Sequence, residues 1–430
     1  MKKIIYWFRG DLRLIDNPAF LKACLDSEAL LPIYIHHPRN KADTKWGFSK
    51  KGSYSQQFLQ ESILDLKKQL LEKGSDLLEF SGLPEEIIPE LIKILGDAHV
   101  YCQAIEAPEE KSDVNLLIKQ NVTVKQFWQS SMLDPKDLPF ALEQMPDMFT
   151  AFRQKIENAK LKFAKPVLPP STIPPLPDEL NQINQNQNLN NLRIDNKKEI
   201  TVNAADNAEL IFEGGETAAS LHIEQYFERR LPDTYKQTRN QLLGMDYSTK
   251  FSPWLAHGCC SARSIAQRLS QYEKQYGANE STYWIWFELL WRDYFSFLPF
   301  KYGKKLFYPT GLTDQPIGKL NVSQFNQWIN GQTKDSFINA AMTELSSTGF
   351  MSNRMRQIVA SYWIYDMGGD WRAGAAWFES QLIDYDVYSN QGNWLYIAGR
   401  GTDPRGGRPF NVARQMRDHD PDGAYRKHWL

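Results

Sequence analysis

A stretch from residue 351 to residue 394 carries side chains that could hold a planar, polar cofactor. It combines amides, carboxylates and arginines with tryptophans, which can pack on flat ring systems, stack on bases or carry electrons. Polar groups on otherwise buried helices need hydrogen-bond partners, so we expect the polar members to converge. They are Asn353, Arg356, Gln357, Asp384, Asp386 and Asn390.

Residues 281–297 add a second candidate face. Their periodicity predicts a helix that places five aromatic and charged residues on one side. One interpretation is an i, i+4 surface ion pair worth about 0.5 kcal/mol or less beside ordinary core aromatics. In the other interpretation, Arg292 joins the polar residues of the stretch 351–394. The five residues are Trp284, Glu288, Trp291, Arg292 and Phe295.

Residues 397–417 form a glycine-rich segment with an excess of arginine. The formal net charge of the chain is −1, so contact with a polyanion must come from such a local patch. The segment could bind phosphates, or it could be a solvated loop whose arginines pair with distant carboxylates. Its charged residues are Arg400, Asp403, Arg405, Arg408, Arg414 and Arg417.

Composition predicts a cytoplasmic globular protein of two domains. The chain has 430 residues, more than one hydrophobic core usually serves. No run approaches the roughly 20 apolar residues that span a bilayer, and the apolar part of the N-terminus is too short for a signal peptide. The 4 cysteines form no C-x-x-C pair, and no histidines stand at zinc spacing, so we expect reduced thiols and no metal.

Alternating strand and helix patterns predict a Rossmann-like α/β domain with a parallel sheet over residues 1–165. It lacks the glycine motifs that bind dinucleotides or nucleoside triphosphates. Residues 166–215 are rich first in Pro and then in Asn and Gln, which predicts an interdomain connector. Helical patterns dominate residues 216–430, which predicts an all-α domain. The predicted strands are 2–8, 30–36, 76–80, 98–102 and 122–127.

The polar stretch is expected to be presented by the last helices of the α domain. Residues 352–367 and 371–382 have helical periodicity. Asp384 and Asp386 are expected to end a helix. Residues 389–394 read as a turn, because Ser, Asn and Gly favour turns.

Long motifs occur at residues 7–17, 287–295, 370–372 and 399–411. In sequence and order they resemble the photolyase/cryptochrome family, and the last is most similar to the cryptochrome-DASH branch. The resemblance extends over nearly the whole chain. It implies an α/β antenna domain followed by a helical domain that binds FAD.

The resemblance also implies which residues bind FAD. Hydroxyl and backbone donors at the opening of a helix would hold the diphosphate, supplemented by Arg292. Asn390 would accept a hydrogen bond from flavin N5, beside a charge pair of Arg356 and Asp384. The implied set is Tyr235, Ser248, Thr249, Lys250, Phe251, Ser252, Glu288, Arg292, Asn353, Arg356, Asp384, Asp386 and Asn390.

The implied reaction is light-driven splitting of cyclobutane pyrimidine dimers in DNA. Glu288 would hydrogen-bond the damaged bases, and Trp291 and Tyr396 would stack on them. Tyrosine at position 396 is typical of the DASH branch, which is associated with single-stranded or looped DNA. Repair of (6-4) lesions is less favoured, because the paired histidines of that chemistry are missing near Asn353. The implied phosphate contacts are Arg400, Arg405 and Arg408.

Two further implications concern light and electrons. A methenyltetrahydrofolate antenna is implied between the domains, with Glu106 at the matching position. Trp394 and Trp371 match the first two tryptophans of the family's electron relay and would serve catalysis, whereas the third position falls on Gly318. Two interpretations stay open for Trp363 and Trp377: replacement of the third relay member, or core packing.

Two other functions stay open. The chain could be a blue-light photoreceptor that signals through a partner, or a flavoprotein that binds nucleic acid without photochemistry. The sequence stops soon after Trp429 without the long tail of signalling members, which favours the enzyme. We expect a monomer.

Overall fold

The structure is a computed structural model that describes residues 2–194 and 212–430. The predicted connector therefore lies partly outside the described residues, at 195–211. Within the described ranges, no helix is long and apolar enough to cross a membrane. The same ranges hold no group of three or more His, Cys, Asp or Glu residues placed to hold a metal ion.

The predicted parallel sheet is confirmed, with the strand order β3-β2-β1-β4-β5. Its central strand β1 is apolar on both sides, as strands covered by helices on two faces must be. The order reverses between β1 and β4, and ligands of such sheets bind beyond the carboxyl ends of the strands at this point. The strands are β1 (Lys3–Phe8), β2 (Ala29–His36), β3 (Leu78–Ser81), β4 (Ala98–Gln103) and β5 (Val124–Phe127).

Helices flank this sheet and continue into the predicted connector. α6 and α7 lie where the composition predicts only a surface connector; their Ile183 and Leu189, each 1% exposed, pack into the core beneath β3. Leu180 and Leu192 of the same two helices also pack against this core, so a few aliphatic side chains anchor the Asn/Gln-rich run. The helices are α1 (Pro18–Asp26), α2 (Ser53–Glu72), α3 (Pro84–Leu95), α4 (Pro108–Lys119), α5 (Phe149–Asn158), α6 (Leu180–Gln185) and α7 (Gln187–Leu192).

The remainder of the described chain is helical, as predicted. The long α12 runs through its centre and packs against α9, α11 and α17. The helices are α8 (Glu216–Glu228), α9 (Tyr235–Thr238), α10 (Ser252–His257), α11 (Ala262–Tyr276), α12 (Glu280–Tyr302), α13 (Val322–Ile329), α14 (Ser336–Thr348), α15 (Asn353–Ser361), α16 (Trp371–Gln381), α17 (Val387–Ile397), α18 (Val412–His419) and α19 (Ala424–Trp429).

The polar stretch differs from its prediction in two elements. The helix predicted at 352–367 ends at Ser361 and continues as a π-helical turn, Tyr362–Asp366. The turn predicted at 389–394 is wrong, because these residues lie inside α17. Asp386 caps that helix, accepting the Ser389 N–H at 2.8 Å, so it begins a helix rather than ending one.

Buried carboxylates join the sheet region to the helical region. Asp293 of α12 accepts the backbone N–H groups of Met132 and Leu133, each at 2.8 Å. Glu216 accepts those of Leu14 and Ile15, also at 2.8 Å. Burial raises the pKa of each carboxyl to about 7.

Candidate active site

The helical region encloses a cavity of about 530 Å³, which we call the main cavity. This volume falls in the range of roughly 300–1,000 Å³ typical of ligand and cofactor sites. A smaller recess of about 80 Å³ adjoins it and shares Arg356 and Asp384 with it. The predicted residues on the main cavity are Tyr235, Ser248, Thr249, Lys250, Phe251, Ser252, Glu288, Trp291, Arg292, Asn353, Arg356, Asp384, Asp386, Tyr396 and Arg408. Asn390 and Trp394 line the recess.

One end of the main cavity collects hydroxyl groups around a buried lysine. Lys250 adopts φ 55°, is 5% exposed, and places Nζ 3.5 Å from the ring centre of Tyr247. Burial lowers the pKa of its ammonium group to about 7. Ser252 begins α10 beside it. Hydroxyls and a cation form a donor set that suits a diphosphate.

The main cavity also holds an ion pair, that of Arg356 and Asp384. Arg356 donates through Nη2 to Asp384 Oδ2 at 2.8 Å and through Nε to the Met351 carbonyl at 2.8 Å. Asp384 Oδ1 is buried without a hydrogen-bond partner. A buried carboxylate oxygen normally accepts a hydrogen bond, so this atom fits a donor group of a ligand in the cavity.

Asn390 presents an acceptor to the recess. Its Nδ2 donates to the Ala375 carbonyl at 3.1 Å, which leaves Oδ1 free to accept. This orientation matches the predicted contact with the N–H group of a reduced ring system. Because α17 carries both Asn390 and its cap Asp386, the helix fixes the two side chains relative to one another.

The i, i+4 surface pair of Glu288 and Arg292, which was one of the two interpretations of this face, does not form. Glu288 instead pairs with Arg239 of the loop after α9. Burial raises the pKa of the Glu288 carboxyl, and the Arg239 guanidinium opposes that rise. Arg292 donates to the carbonyls of Ser130 and Leu255. The two residues share a helix but serve different parts of the cavity.

Trp291 and Tyr396 accompany Glu288 in a partly exposed part of the lining of the main cavity, which we call the mouth. Trp291 stacks on Phe149 with ring centres 3.7 Å apart and an interplanar angle of 12°. Tyr396 meets Trp291 edge-on at 5.7 Å and 81°. Both rings are partly exposed, so they can offer a surface to a flat ligand beside a carboxylate.

The predicted phosphate-binding arginines divide into three environments. Arg405 is exposed. Arg408 donates to Asp403 at 2.9 Å and to Tyr396 Oη at 2.5 Å, at the edge of the main cavity. Arg400 is 5% exposed and donates to the carbonyls of Thr310, Gln315 and Pro316. It holds the loop together from inside and does not present its charge to a phosphate.

Two cavity arginines were missed from the sequence. Arg239 pairs with Glu288, and Arg354 donates to Asn240 Oδ1 at 3.0 Å while its Nε is buried without a partner. Burial, with Arg239 as its neighbour, lowers the pKa of Arg354. The sequence signal for Arg354 is its place between Asn353 and Arg356. A buried helix with a single polar face would not carry three polar residues in four positions.

A further cavity of about 240 Å³, the interdomain cavity, lies beyond the carboxyl ends of β1, β2 and β4. This is the point at which the strand order reverses. Gln103 Oε1 is buried there without a partner, and Arg292 and Asp386 line both this cavity and the main one. Glu106 does not line it: the carboxylate pairs with Lys111, and only the backbone N–H reaches Tyr388.

The tryptophans separate into two groups. Trp394 of the recess meets Trp328 at 6.4 Å, and Trp328 stacks on Trp363 at 5.5 Å, all three almost fully buried. Trp371 donates its indole N–H to the Pro309 carbonyl at 3.1 Å. Trp377 contacts Phe48.

Gly318 leaves no room for a third tryptophan of the predicted relay. A Cβ atom there would lie 2.3 Å from the Gly369 carbonyl oxygen. Backbone cannot give way as a flexible side chain can, so a side chain at position 318 would require the backbone around Gly318 or Gly369 to shift.

Comparisons with known proteins agree with this architecture. A family model described as "DNA photolyase" matches residues 4–174, and one described as "FAD binding domain of DNA photolyase" matches residues 284–430. A "Cryptochrome DASH" of Gloeobacter violaceus is 44% identical over 437 residues, covering 100% of this chain and 85% of that protein.

Solved structures give the same result. A cryptochrome from Synechocystis sp. is similar with a TM-score of 0.91 at 40% identity, covering 100% of this chain and 89% of that one. A class III photolyase from Agrobacterium tumefaciens has a TM-score of 0.80 at 25% identity, covering 100% and 86%.

The fold and the site define a flavoprotein in which a parallel α/β region precedes a helical FAD-binding domain. The chain belongs to the photolyase/cryptochrome family, in its cryptochrome-DASH branch. The hydroxyls around Lys250, the unsatisfied oxygen of Asp384 and the free acceptor of Asn390 fit the diphosphate and the ring system of FAD.

Proposed function

We propose that this protein repairs cyclobutane pyrimidine dimers in single-stranded or looped DNA under blue light. The observation that carries the proposal is the continuity of the main cavity. Residues suited to FAD line its interior, and Glu288, Trp291 and Tyr396 stand at its mouth. A lesion at the mouth would therefore lie next to the cofactor.

Bound FAD in its reduced form would supply, on excitation, the electron that opens the cyclobutane ring and is afterwards recovered. The chain's own residues bind the lesion and orient it. Glu288 hydrogen-bonds the linked bases, while Trp291 and Tyr396 pack against their faces. Burial in this aromatic mouth excludes water from the lesion.

Cations around the mouth suit the phosphates next to a lesion. Arg354 has a buried Nε without a partner, and Arg408 lies beside Tyr396. We assign phosphate contacts to these two and to the exposed Arg405 in place of Arg400. Single-stranded DNA is the favoured substrate, because flipping a base from a duplex costs a few kcal/mol that an unpaired strand does not require.

The test is repair of a dimer-containing single-stranded oligonucleotide by the purified, reduced protein under blue light. Wild type restores intact pyrimidines, and Glu288→Ala reduces the rate at least tenfold, since a charge-assisted hydrogen bond contributes about 1.5–3 kcal/mol. Glu224→Ala is the matched control, because its carboxylate also pairs with an arginine, Arg268 at 3.0 Å, but on the surface. A wild type that binds FAD yet restores nothing contradicts the proposal.

We extend the proposal to an antenna in the interdomain cavity, with methenyltetrahydrofolate as its occupant. Support comes from the position of the cavity at the strand-order reversal and from the unpartnered Gln103 Oε1. Binding of the folate to wild type, and its weakening in Gln103→Leu, can be followed by its near-ultraviolet absorbance. The proposed location is the cytoplasm. The proposed oligomeric state is a monomer, which light scattering of the purified protein tests.

A further inference from the structure

Trp284 lies one helical turn before Glu288, beside a residue that lines the main cavity. Residues 284, 288, 291 and 295 recur at helical spacing, so the indole lies on the same face of α12 as Glu288 and Trp291. Its ring centre is 4.5 Å from that of Phe287, which lines the cavity. The aromatic surface of the mouth thus continues outward beyond Glu288.

Core packing accounts for only part of this indole, which packs against the helical core and yet stays partly exposed. Trp328 and Trp363 are completely buried, whereas Trp284 is partly exposed in the first turns of its helix. Behind it, Ile285 is 2% exposed and supplies the core contact at this level of α12. A large aromatic surface beside a binding cavity is more costly to expose than a small side chain would be.

Two cations accompany the indole. The Arg239 guanidinium lies 4.7 Å from its ring centre and Lys236 Nζ lies 5.9 Å away. Lys236 is 38% exposed in its side chain and pairs at 2.9 Å with Glu280, which is 79% exposed. Such an exposed ion pair is weak, so a phosphate can displace Glu280 at little cost.

We propose that Trp284, Arg239 and Lys236 form a second nucleotide subsite, which takes an unpaired nucleotide flanking the lesion held at Glu288. The exposed part of the indole stacks on the base, and the cations bind the linking phosphate. The inference rests on the proposed function, because it places single-stranded DNA at Glu288. A paired base is already stacked in its duplex, so the subsite selects for an unpaired strand.

The test compares two substrates that differ only in length. A dimer-containing dinucleotide fills the mouth alone, and a dimer-containing octanucleotide also reaches Trp284. The quantity measured is the ratio of their dissociation constants in the dark. Stacking of one base on an aromatic ring changes affinity by roughly 5- to 150-fold. Trp284→Ala is expected to reduce the ratio by a factor in this range, and Trp284→Phe by less.

Trp286→Ala is the matched control. This indole is also partly exposed on α12, but it donates to the Lys162 carbonyl at 2.8 Å on a different side of the helix. The ratio should be unchanged in this variant. In addition, Lys236→Gln should reduce the slope of log affinity against log salt for the octanucleotide by about 0.7, as expected for one phosphate contact in a single strand.

The outcomes separate the two proposals. An unchanged ratio in Trp284→Ala overturns the subsite, and so does an equal loss in Trp286→Ala, which would reflect a general disturbance of α12. Repair of the dinucleotide by wild type upholds the proposed function in either case. Failure of wild type to bind the dinucleotide dimer at any salt concentration overturns the proposed function and the subsite with it.

Discussion

Lys250 is the residue whose charge depends most directly on the contents of the main cavity. Burial lowers its pKa to about 7 in the free protein. The diphosphate of FAD would raise that pKa, because a nearby negative charge favours the ammonium form. Below about pH 7 the Lys250 side chain is already protonated. Above about pH 7, FAD binding must be accompanied by the uptake of a proton at Lys250.

We therefore expect FAD affinity to fall above about pH 7, by up to tenfold per pH unit, and to level off below it. Lys250→Met should weaken binding at pH 6 and remove this dependence. Titration of the apoprotein with FAD from pH 6 to 9 measures both effects. Lys274→Met, at an exposed position of α11, is the control. Equal slopes in wild type and Lys250→Met would contradict the assignment of Lys250 to the diphosphate.

Trp394 is the residue through which an electron relay would have to begin, since it lines the recess. We predict that Trp394→Phe abolishes the loss of oxidised-flavin absorbance under blue light with a thiol present, while dithionite restores repair. Two further variants identify the residue that follows Trp394 in the relay. Slower photoreduction in Trp371→Phe supports the predicted second member, whereas an effect confined to Trp328→Phe would assign that role to the stacked pair of Trp328 and Trp363.

At the scale of elements, α12 and α17 approach so closely that one position accepts only glycine. A Cβ on Gly392 would lie 2.2 Å from Phe295 Cδ1. Gly392→Ala should lower the free energy of unfolding by about 1–3 kcal/mol, although alanine in an open helix would raise it by about 1 kcal/mol.

Chemical denaturation measures this change. Gly374→Ala should behave alike, because its Cβ would lie 2.3 Å from Trp394 Cη2. Gln271→Ala, an exposed position in α11, should change the free energy of unfolding by less than about 0.5 kcal/mol. Stabilisation by Gly392→Ala would show that the two helices can separate without cost.

The same contact explains why part of the site could not be predicted. Strand and helix periodicity predicts the sheet and most of the long helices, because burial of one face dictates it. Residues 389–394 were predicted as a turn from their own composition. Packing of Gly392 on Phe295 and the cap by Asp386 override that local preference. Phe295 is distant in sequence, and Asp386 lies outside the segment 389–394.

Side-chain partners are harder still to predict. Arg356 and Asp384 were expected to pair and do so at 2.8 Å. Helical spacing leaves open a pair between Glu288 and Arg292, four residues away, yet Glu288 pairs with Arg239, which is 49 positions distant. Spacing along a helix shows which side chains share a face, but a partner from another helix depends on the tertiary fold.

At the scale of the molecule, Asp293 joins the sheet region to α12. The folded state holds its proton up to about pH 7, whereas an unfolded aspartate loses it near pH 4. Between these values the folded state binds more protons, so this residue's contribution to the free energy of unfolding falls as pH rises. Glu216 should act in the same direction.

We predict that the difference in unfolding free energy between wild type and Asp293→Asn decreases from pH 5 to pH 7.5, since asparagine does not titrate. Urea denaturation at several pH values measures this difference. Asp246→Asn, whose carboxylate is 50% exposed, should show no such trend. A difference in unfolding free energy between wild type and Asp293→Asn that grows with pH would mean that the two backbone N–H groups keep Asp293 ionised.

Arg292 forms part of the wall of both the main and the interdomain cavity. Its guanidinium is held by carbonyls of Ser130 and Leu255, so a ligand on either side meets the same rigid group. If a ligand in one cavity changes the affinity of the other cavity for its own ligand, thermodynamic linkage requires the two effects to be equal. An occupant of the interdomain cavity that strengthened the retention of FAD would itself be held more tightly, by the same factor, when FAD is bound.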